Sequence, residues 1–258
     1  MWMNLGRVSS RLLTYPHPPS LPSGTWQNFA VLNGQSFFKL PGAEGVDPRL
    51  VGSIGVNPCT AYRMLHDFVD LHPGMCSHDV CRRRGPLANT ALLTQLTAAP
   101  PRAFSFPPGD TVIQTGATSQ VGQAVIQIAK SMGVKTYNII RRSTEEVEAE
   151  QRRHLEALGA DHVVVADDLR SDAFKAVVKE LGAPMLALNC VSGKIGSQLQ
   201  RVMGEGATCV TYGAMSRRPL DVGAASLIFR DLRFVGFWMT RWNKVGVTSW
   251  PGRGGWLA

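Results

Sequence analysis

From residue 111 onward, short apolar runs of strand length alternate with longer segments in which apolar residues recur every three or four positions. The runs predict strands at 111 to 115, 135 to 140, 162 to 166, 185 to 190, 207 to 212 and 232 to 237. The periodic segments predict helices at 121 to 132, about 145 to 158, about 171 to 181 and about 195 to 203. Apolar strands alternating with amphipathic helices imply a parallel sheet covered on both faces. Six strands joined by right-handed crossovers imply an α/β fold, the doubly wound parallel sheet of Rossmann type.

Upstream the pattern changes. His17-Pro-Pro-Ser-Leu-Pro-Ser continues no helix and carries no periodic apolar face, so an irregular or disordered opening is expected. Trp26 to Leu40 has the Phe, Val and Leu content of one or two short strands. Pro58 suits the first turn of a helix carrying Ala61, Met64, Leu65 and Phe68, with Asn57 as its cap. Between Met75 and Pro107 the periodicity dissolves into Cys-Arg-Arg-Arg-Gly-Pro, a short Ala/Leu/Thr run and a proline cluster. That is long for a structureless connection and reads as an insertion.

The 258 residues are 44% hydrophobic, enough for a sizeable core and against global disorder. The net charge of +8 is spread along the chain: up to Asp110 there are nine Lys/Arg against six Asp/Glu, beyond it eighteen against thirteen. A dispersed excess is a solvated surface, so nucleic acid is the weakest partner class and a phosphate-bearing or acidic ligand fits better. Cys59, Cys76, Cys81, Cys190 and Cys209 are an odd set, two of them inside apolar strand runs, which fits a reducing compartment. Cys76-Ser-His78-Asp-Val-Cys81 lacks a second ligand pair at a metal-binding spacing, so no metal is expected. No apolar stretch approaches the roughly 20 residues of a membrane span. Residues 1 to 43 contain no acid, and Arg7, Ser9, Ser10 and Arg11 faintly resemble an organellar presequence.

The candidate chemistry sits after the first and second strands of the alternating region. A strict Gly-x-Gly-x-x-Gly turn would need glycine at 117, 119 and 122, whereas the chain has Ala117, Ser119 and Gly122. The surviving Gly122 lets helix approach strand, and the small residues admit a pyrophosphate to the helix N-terminus. Taken alone, the turn is equally compatible with a plain strand-to-helix connection. The strand 135 to 140 then runs into Arg141-Arg142, where a dinucleotide fold presents an acid to the 2′-hydroxyl of NAD or an arginine to the 2′-phosphate of NADP. Two arginines point to NADPH; the plainer reading is an exposed strand end.

Several segments together carry a family resemblance: Gly55-Val-Asn-Pro-Cys-Thr-Ala-Tyr-Arg-Met-Leu65, Val112-Ile-Gln, Val121-Gly-Gln-Ala-Val-Ile-Gln-Ile-Ala129, Leu188-Asn-Cys-Val191, Val210-Thr-Tyr-Gly213 and Gly236-Phe-Trp238. They resemble mitochondrial trans-2-enoyl-[acyl-carrier-protein] (enoyl-CoA) reductases, zinc-free members of the medium-chain dehydrogenase/reductase superfamily. The resemblance covers about Gly24 to Gly74 and Pro108 to Lys244. It implies NADPH-dependent reduction of a trans-2-enoyl thioester, carried on acyl-carrier protein or CoA, in mitochondrial fatty acid synthesis, with a homodimer as an option. By matching motif it implies that Asn57 contacts the nicotinamide end of the cofactor. Thr118, Ser119, Gln120, Val121 and Gly122 would hold the pyrophosphate, and Arg141, Arg142 and Ser143 the 2′-phosphate. Tyr212, Gly213, Ala214 and Met215 with Phe237, Trp238 and Met239 would form the nicotinamide pocket. Each has a bland alternative: Asn57 as a helix cap, Tyr212 as a strand end, Trp238 as core.

The chain also departs from the family pattern. The family's GroES-like catalytic domain begins upstream of Gly24-Thr-Trp26 and supplies the tyrosine thought to protonate the substrate, so no catalytic residue is assigned, neither Tyr15 nor Tyr62. Gln120 stands where the family usually has glycine. The expected organisation is a leader at 1–23, a remnant of the catalytic domain at 24–54, a linking helix at 55–74, an inserted loop at 75–107, the Rossmann NADPH-binding domain at 108–244 and an irregular tail at 245–258. The chain thus reads as an incomplete or alternative product. Three functions stay open on sequence: the reductase, a non-catalytic NADPH-binding fragment of one, and a basic nucleic-acid binder.

Overall fold

The computed structural model describes residues 12–14, 37–39, 56–71 and 109–245. The chain divides into two units, Met1–Thr60 and Ala61–Ala258. The 75–107 insertion, with Cys76, His78, Cys81 and Arg82 to Arg84, and the segment after 245 lie outside the described residues.

In the first unit, strand β1 (Leu12–Thr14) pairs antiparallel with β2 (Phe37–Lys39). β2 falls in the Trp26 to Leu40 stretch where a strand is expected, whereas no periodicity marks β1 inside the Pro/Ser-rich opening. Helix α1 (Asn57–His66) starts one residue earlier than expected: the Val56 carbonyl accepts from Thr60 N–H at 2.8 Å, making Asn57 the first helical residue and not the cap.

The second unit carries the alternating pattern. Strands β3 (Thr111–Thr115), β4 (Lys135–Ile140), β5 (His162–Val165), β6 (Leu186–Asn189), β7 (Thr208–Thr211) and β8 (Arg233–Gly236) form a six-stranded sheet. Its order, β5-β4-β3-β6-β7-β8, is parallel throughout. This is the doubly wound Rossmann arrangement, with the strand order reversing between β3 and β6. Helices α2 (Gln120–Ser131), α3 (Glu145–Ala157), α4 (Asp172–Leu181) and α5 (Gly193–Val202) make the crossovers.

Burial explains the layers. On one face, Ile113, Tyr137, Ile139, Val164, Ala187 and Cys209 pack with Phe174 of α4 and Leu199 of α5. On the other, Ile140, Val163 and Val165 pack with Ile126 of α2 and Leu155 of α3. Successive strand residues thus feed opposite layers, and β3 is buried at all five positions, which is why these strands read as continuous apolar runs. Three short helical pieces have no counterpart in the periodicity: a 3₁₀ turn at Ala166–Arg170, α6 (Ala224–Ile228) and α7 (Met239–Val245).

Candidate nucleotide site

The carboxyl ends of β3 and β6 meet at the reversal of strand order, where doubly wound folds bind ligands. After β3 the chain turns at Gly116, whose φ of 65° belongs to the left-handed region; a Cβ there would lie 2.7 Å from Cys190 Sγ. Ser119 N–H closes the turn on Gly116 O at 2.9 Å, and Ser119 Oγ caps α2 by accepting from Gly122 N–H at 3.1 Å. Gln120 and Val121, in the first helical turn, have no preceding intrahelical carbonyl for their amides, so these donors are left at the helix N-terminus.

Gly122 seats that terminus on the sheet. A Cβ at this position would lie 2.6 Å from Ala117 O and 2.7 Å from Gly116 O, both backbone. Gly122 O accepts from Gln114 Nε2 at 2.9 Å, and the same amide group donates to Asn138 Oδ1 at 2.7 Å. Asn138 in turn donates to Thr136 Oγ1 at 2.8 Å. A fully buried polar chain inside β3 and β4 therefore fixes where α2 begins.

A second polar knot shapes the opposite wall. Asn189 Oδ1 accepts from Ser192 N–H at 2.9 Å, its Nδ2 donates to Thr211 Oγ1 at 3.2 Å, and Cys190 N–H donates to Thr115 Oγ1 at 2.9 Å. The bend after β6 holds Ser192 at a φ of 62°.

Between these walls lies a cavity of about 510 Å³. Thr115, Gly116 and Thr118 line it from the first turn, Ile139 to Ser143 from the end of β4, and Val191 and Ile195 from beyond the reversal. The structure thus brings Thr118, Arg141, Arg142 and Ser143 to one space, with Ser119, Gln120, Val121 and Gly122 forming the adjoining helix start. Arg142 is latched by acids: its guanidinium lies 2.8 Å from Asp168 Oδ1, 3.2 Å from Glu148 Oε2 and 3.6 Å from Asp167 Oδ2. Desolvation works to lower its pKa, but Asp168, Glu148 and Asp167 outweigh it and hold the guanidinium above its ordinary value. Glu148 Oε1 also accepts from Ser143 N–H at 2.7 Å. Arg141 is exposed and makes no ion pair or hydrogen bond among the described residues.

Of the residues expected around the nicotinamide, Tyr212 to Met215 follow the end of β7 and Phe237 to Met239 the end of β8, and they do not line this cavity. Tyr212 N–H donates to Asn189 O at 3.0 Å, and Met215 N–H to Cys190 O at 2.9 Å, tying the Tyr212-Gly213-Ala214-Met215 loop to the bend after β6. Gly213 fits there because a Cβ would lie 3.1 Å from Cys190 O. The Tyr212 phenol is buried beside Cys190 and Ser119 without hydrogen-bond geometry to either; burial, reinforced by the Cys190 sulfur, drives its pKa far up. Phe237 is buried and stacks edge-on against Phe68, Met239 is buried, and Trp238 is exposed. Asn57 belongs to the Met1–Thr60 unit, in the first turn of α1. The sequence reading missed Gln114, Asn138, Asn189, Glu148, Asp167 and Asp168. Only the first three had a signal: an amide side chain inside an apolar strand run.

Residues 121–249, half of the chain, match the family model described as zinc-binding dehydrogenase. The chain belongs to that family. Among the described residues no group of three or more His, Cys, Asp or Glu is placed to hold a metal ion, so the zinc of the family's description finds no ligand set in them. The chain is 36% identical over 227 residues to the mitochondrial enoyl-[acyl-carrier-protein] reductase of Homo sapiens, covering 88% of this chain and 50% of that protein. It is 37% identical over 231 residues to the Arabidopsis thaliana reductase of the same name, covering 90% and 51%. The chain spans about half the length of the curated relatives it matches. Among solved structures it is similar to the mitochondrial 2-enoyl thioester reductase Etr1p/Etr2p heterodimer from Candida tropicalis, at a TM-score of 0.62 and 30% identity, over 81% of this chain and 51% of that one. The Etr1p complex with NADP and crotonyl-CoA matches at 0.63 and 29%, over 81% and 51%.

Proposed function

We propose that the chain binds NADPH and serves the reduction of trans-2-enoyl thioesters, carried on acyl-carrier protein or CoA, in mitochondrial fatty acid synthesis. One observation carries the cofactor reading: Arg141 and Arg142 stand at the end of β4, on the cavity at the strand-order reversal, where an NAD-specific fold would present an acid. The site fits a dinucleotide on its own geometry, with a helix N-terminus seated against the first strand by Gly122 and donors free in its first turn. The Etr1p complex with NADP and crotonyl-CoA supports both cofactor and substrate class. Relatives named as mitochondrial support the compartment.

When bound, NADPH supplies the hydride that adds to Cβ of the enoyl thioester. The chain's own residues bind and orient. Amides at the start of α2 meet the pyrophosphate, the strand end that carries Arg141 meets the adenosine 2′-phosphate, and Tyr212 to Met215 and Phe237 to Met239 serve the nicotinamide end. In this reading residues 108–244 make up the nucleotide-binding domain and 24–54 are a remnant of the catalytic domain.

A second copy of the chain fits the open edge of the sheet. Among the described residues β8 pairs only with β7, and Val235 is exposed along with Leu227, Ile228 and Phe229 shortly before it in sequence. The heterodimer formed by the Candida tropicalis reductase supports such an assembly.

The test is titration of the purified chain with NADPH, followed by an assay of NADPH oxidation with crotonyl-CoA. Saturable NADPH binding with thioester-dependent oxidation is expected. Binding without turnover would restrict the chain to cofactor binding, and no NADPH binding would overturn the proposal.

A further inference from the structure

The two arginines at the end of β4 are in different chemical situations, although the sequence makes them look equivalent. Arg142 is half-exposed at 49%, yet three carboxylates from two separate elements converge on it, Glu148 from α3 and Asp167 and Asp168 from the 3₁₀ turn after β5. An isolated exposed ion pair contributes little, but three acids on one guanidinium define its position and compensate its charge. Glu148 is the most enclosed of the three, with its side chain 14% exposed. Its Oε1 also takes the Ser143 amide at 2.7 Å. It therefore occupies, with a carboxylate, two donors that a phosphate in this part of the cavity would use. Arg141, next along the backbone and on the same cavity, keeps all its donors available among the described residues.

We infer that Arg141 is the side chain that grips the 2′-phosphate, that Arg142 is a positioning residue latched to Glu148, Asp167 and Asp168, and that Glu148 tempers how strongly the site prefers NADPH over NADH. The inference rests on the NADPH reading and divides its labour. Arg142 pins the loop between β4 and α3 to both α3 and the 3₁₀ turn, so Arg141 leaves the strand from a fixed base. Glu148 places a negative charge beside the phosphate position and holds the Ser143 amide, which works against a second anion there. None of the three acids lines the cavity; Asp167 and Asp168 act through Arg142, whereas Glu148 also holds the amide of Ser143, which does line it.

The experiment measures dissociation constants for NADPH and NADH on the purified chain and on R141A, R142A, E148Q and D168N, and reads the ratio of the two. A merely structural role for these residues would weaken both cofactors together and leave the ratio unmoved. R141A is expected to lower the NADPH preference by about tenfold or more, the scale of a charge-assisted hydrogen bond. R142A is expected to keep that preference within about threefold of wild type while weakening both cofactors and lowering the melting temperature, as an exposed latch would. E148Q is expected to raise the preference by about three- to tenfold, by removing one screened charge near the phosphate. If R142A does not fold, D168N loosens the same latch from outside the cavity, and its preference should equal or exceed that of wild type. A collapse of the preference in R142A or D168N to the level of R141A, or a fall in E148Q, would overturn the division of labour. A wild-type chain that binds NADPH no better than NADH would overturn the cofactor reading itself, and this inference with it.

Discussion

Replacing Gly122 by alanine puts the seating of α2 to the test. The added methyl would lie 2.6 Å from Ala117 O, 2.8 Å from Ala117 C and 2.7 Å from Gly116 O. None of these atoms is a flexible side-chain end, so relief requires the start of α2 to move outward by several tenths of an ångström. That motion stretches the 3.1 Å cap from Gly122 N–H to Ser119 Oγ and the buried 2.9 Å bond from Gln114 Nε2 to Gly122 O. Gln114 Oε1 is already buried without a partner, so a further loss at this side chain leaves the whole amide poorly satisfied. A weakened cap costs about 1 kcal/mol and a strained buried hydrogen bond about 1–2 kcal/mol, while alanine returns up to about 1 kcal/mol of helix propensity. With about 1–2 kcal/mol for overpacking, the net is a loss of about 2–4 kcal/mol, or about 5–15 °C in Tm for a domain of this size. Differential scanning fluorimetry with and without NADPH reads both stability and the fate of the pyrophosphate site, where affinity should fall about tenfold. Gly206→Ala is the control: its φ of 72° disfavours alanine, yet a Cβ there meets nothing within 4 Å, so about 1 kcal/mol and unchanged affinity are expected. A G122A protein as stable as wild type and equally avid for NADPH would refute the reasoning.

Further outcomes follow from other buried groups. Asn189→Ala removes the acceptor of Ser192 N–H and the donor to Thr211, and should cost about 2–3 kcal/mol in urea unfolding. His162 stacks on Phe174 and meets Tyr137 edge-on; burial, then the Arg152 charge, hold its pKa below the ordinary 6.5. The unfolded chain takes up a proton near 6.5 that the folded one refuses. Stability is therefore full above about pH 6.5 and lost as pH falls toward the depressed folded value, and H162F should flatten this slope in melts between about pH 7 and pH 5. Burial pushes the Cys209 thiol up to about 12, so it should stay unmodified by a thiol-specific alkylating reagent at neutral pH until urea unfolds the sheet, as peptide mass analysis would show.

Particular residues explain what was legible in the chain. β3 and β4 match their expected bounds residue for residue, because Thr-Val-Ile-Gln-Thr and the Thr-Tyr-Asn-Ile-Ile that follows exposed Lys135 are buried on both faces, with a turn glycine close to each strand, at Gly116 and Gly133. α6 escaped because it is five residues long and buries nothing, and the 3₁₀ turn because Ala-Asp-Asp-Leu-Arg is one turn long. The arginine position after β4 was readable, since chain order alone fixes which strand end faces the ribose. Its acid latch was not: Asp168 lies twenty-six residues beyond Arg142 and reaches it only because β5 pairs beside β4. Asn138 and Gln114 sat in view as polar residues in apolar runs, but that they satisfy each other across the β3–β4 register is a fact of the folded sheet.

The most direct test of the account is a pair of equilibrium titrations of the wild-type chain, NADPH and NADH, at low and at high salt. The account predicts that NADPH binds at least about tenfold more tightly at low salt and that added salt erodes this advantage, since the extra affinity comes from an exposed guanidinium meeting a phosphate. Equal affinities for the two cofactors at low salt would contradict it.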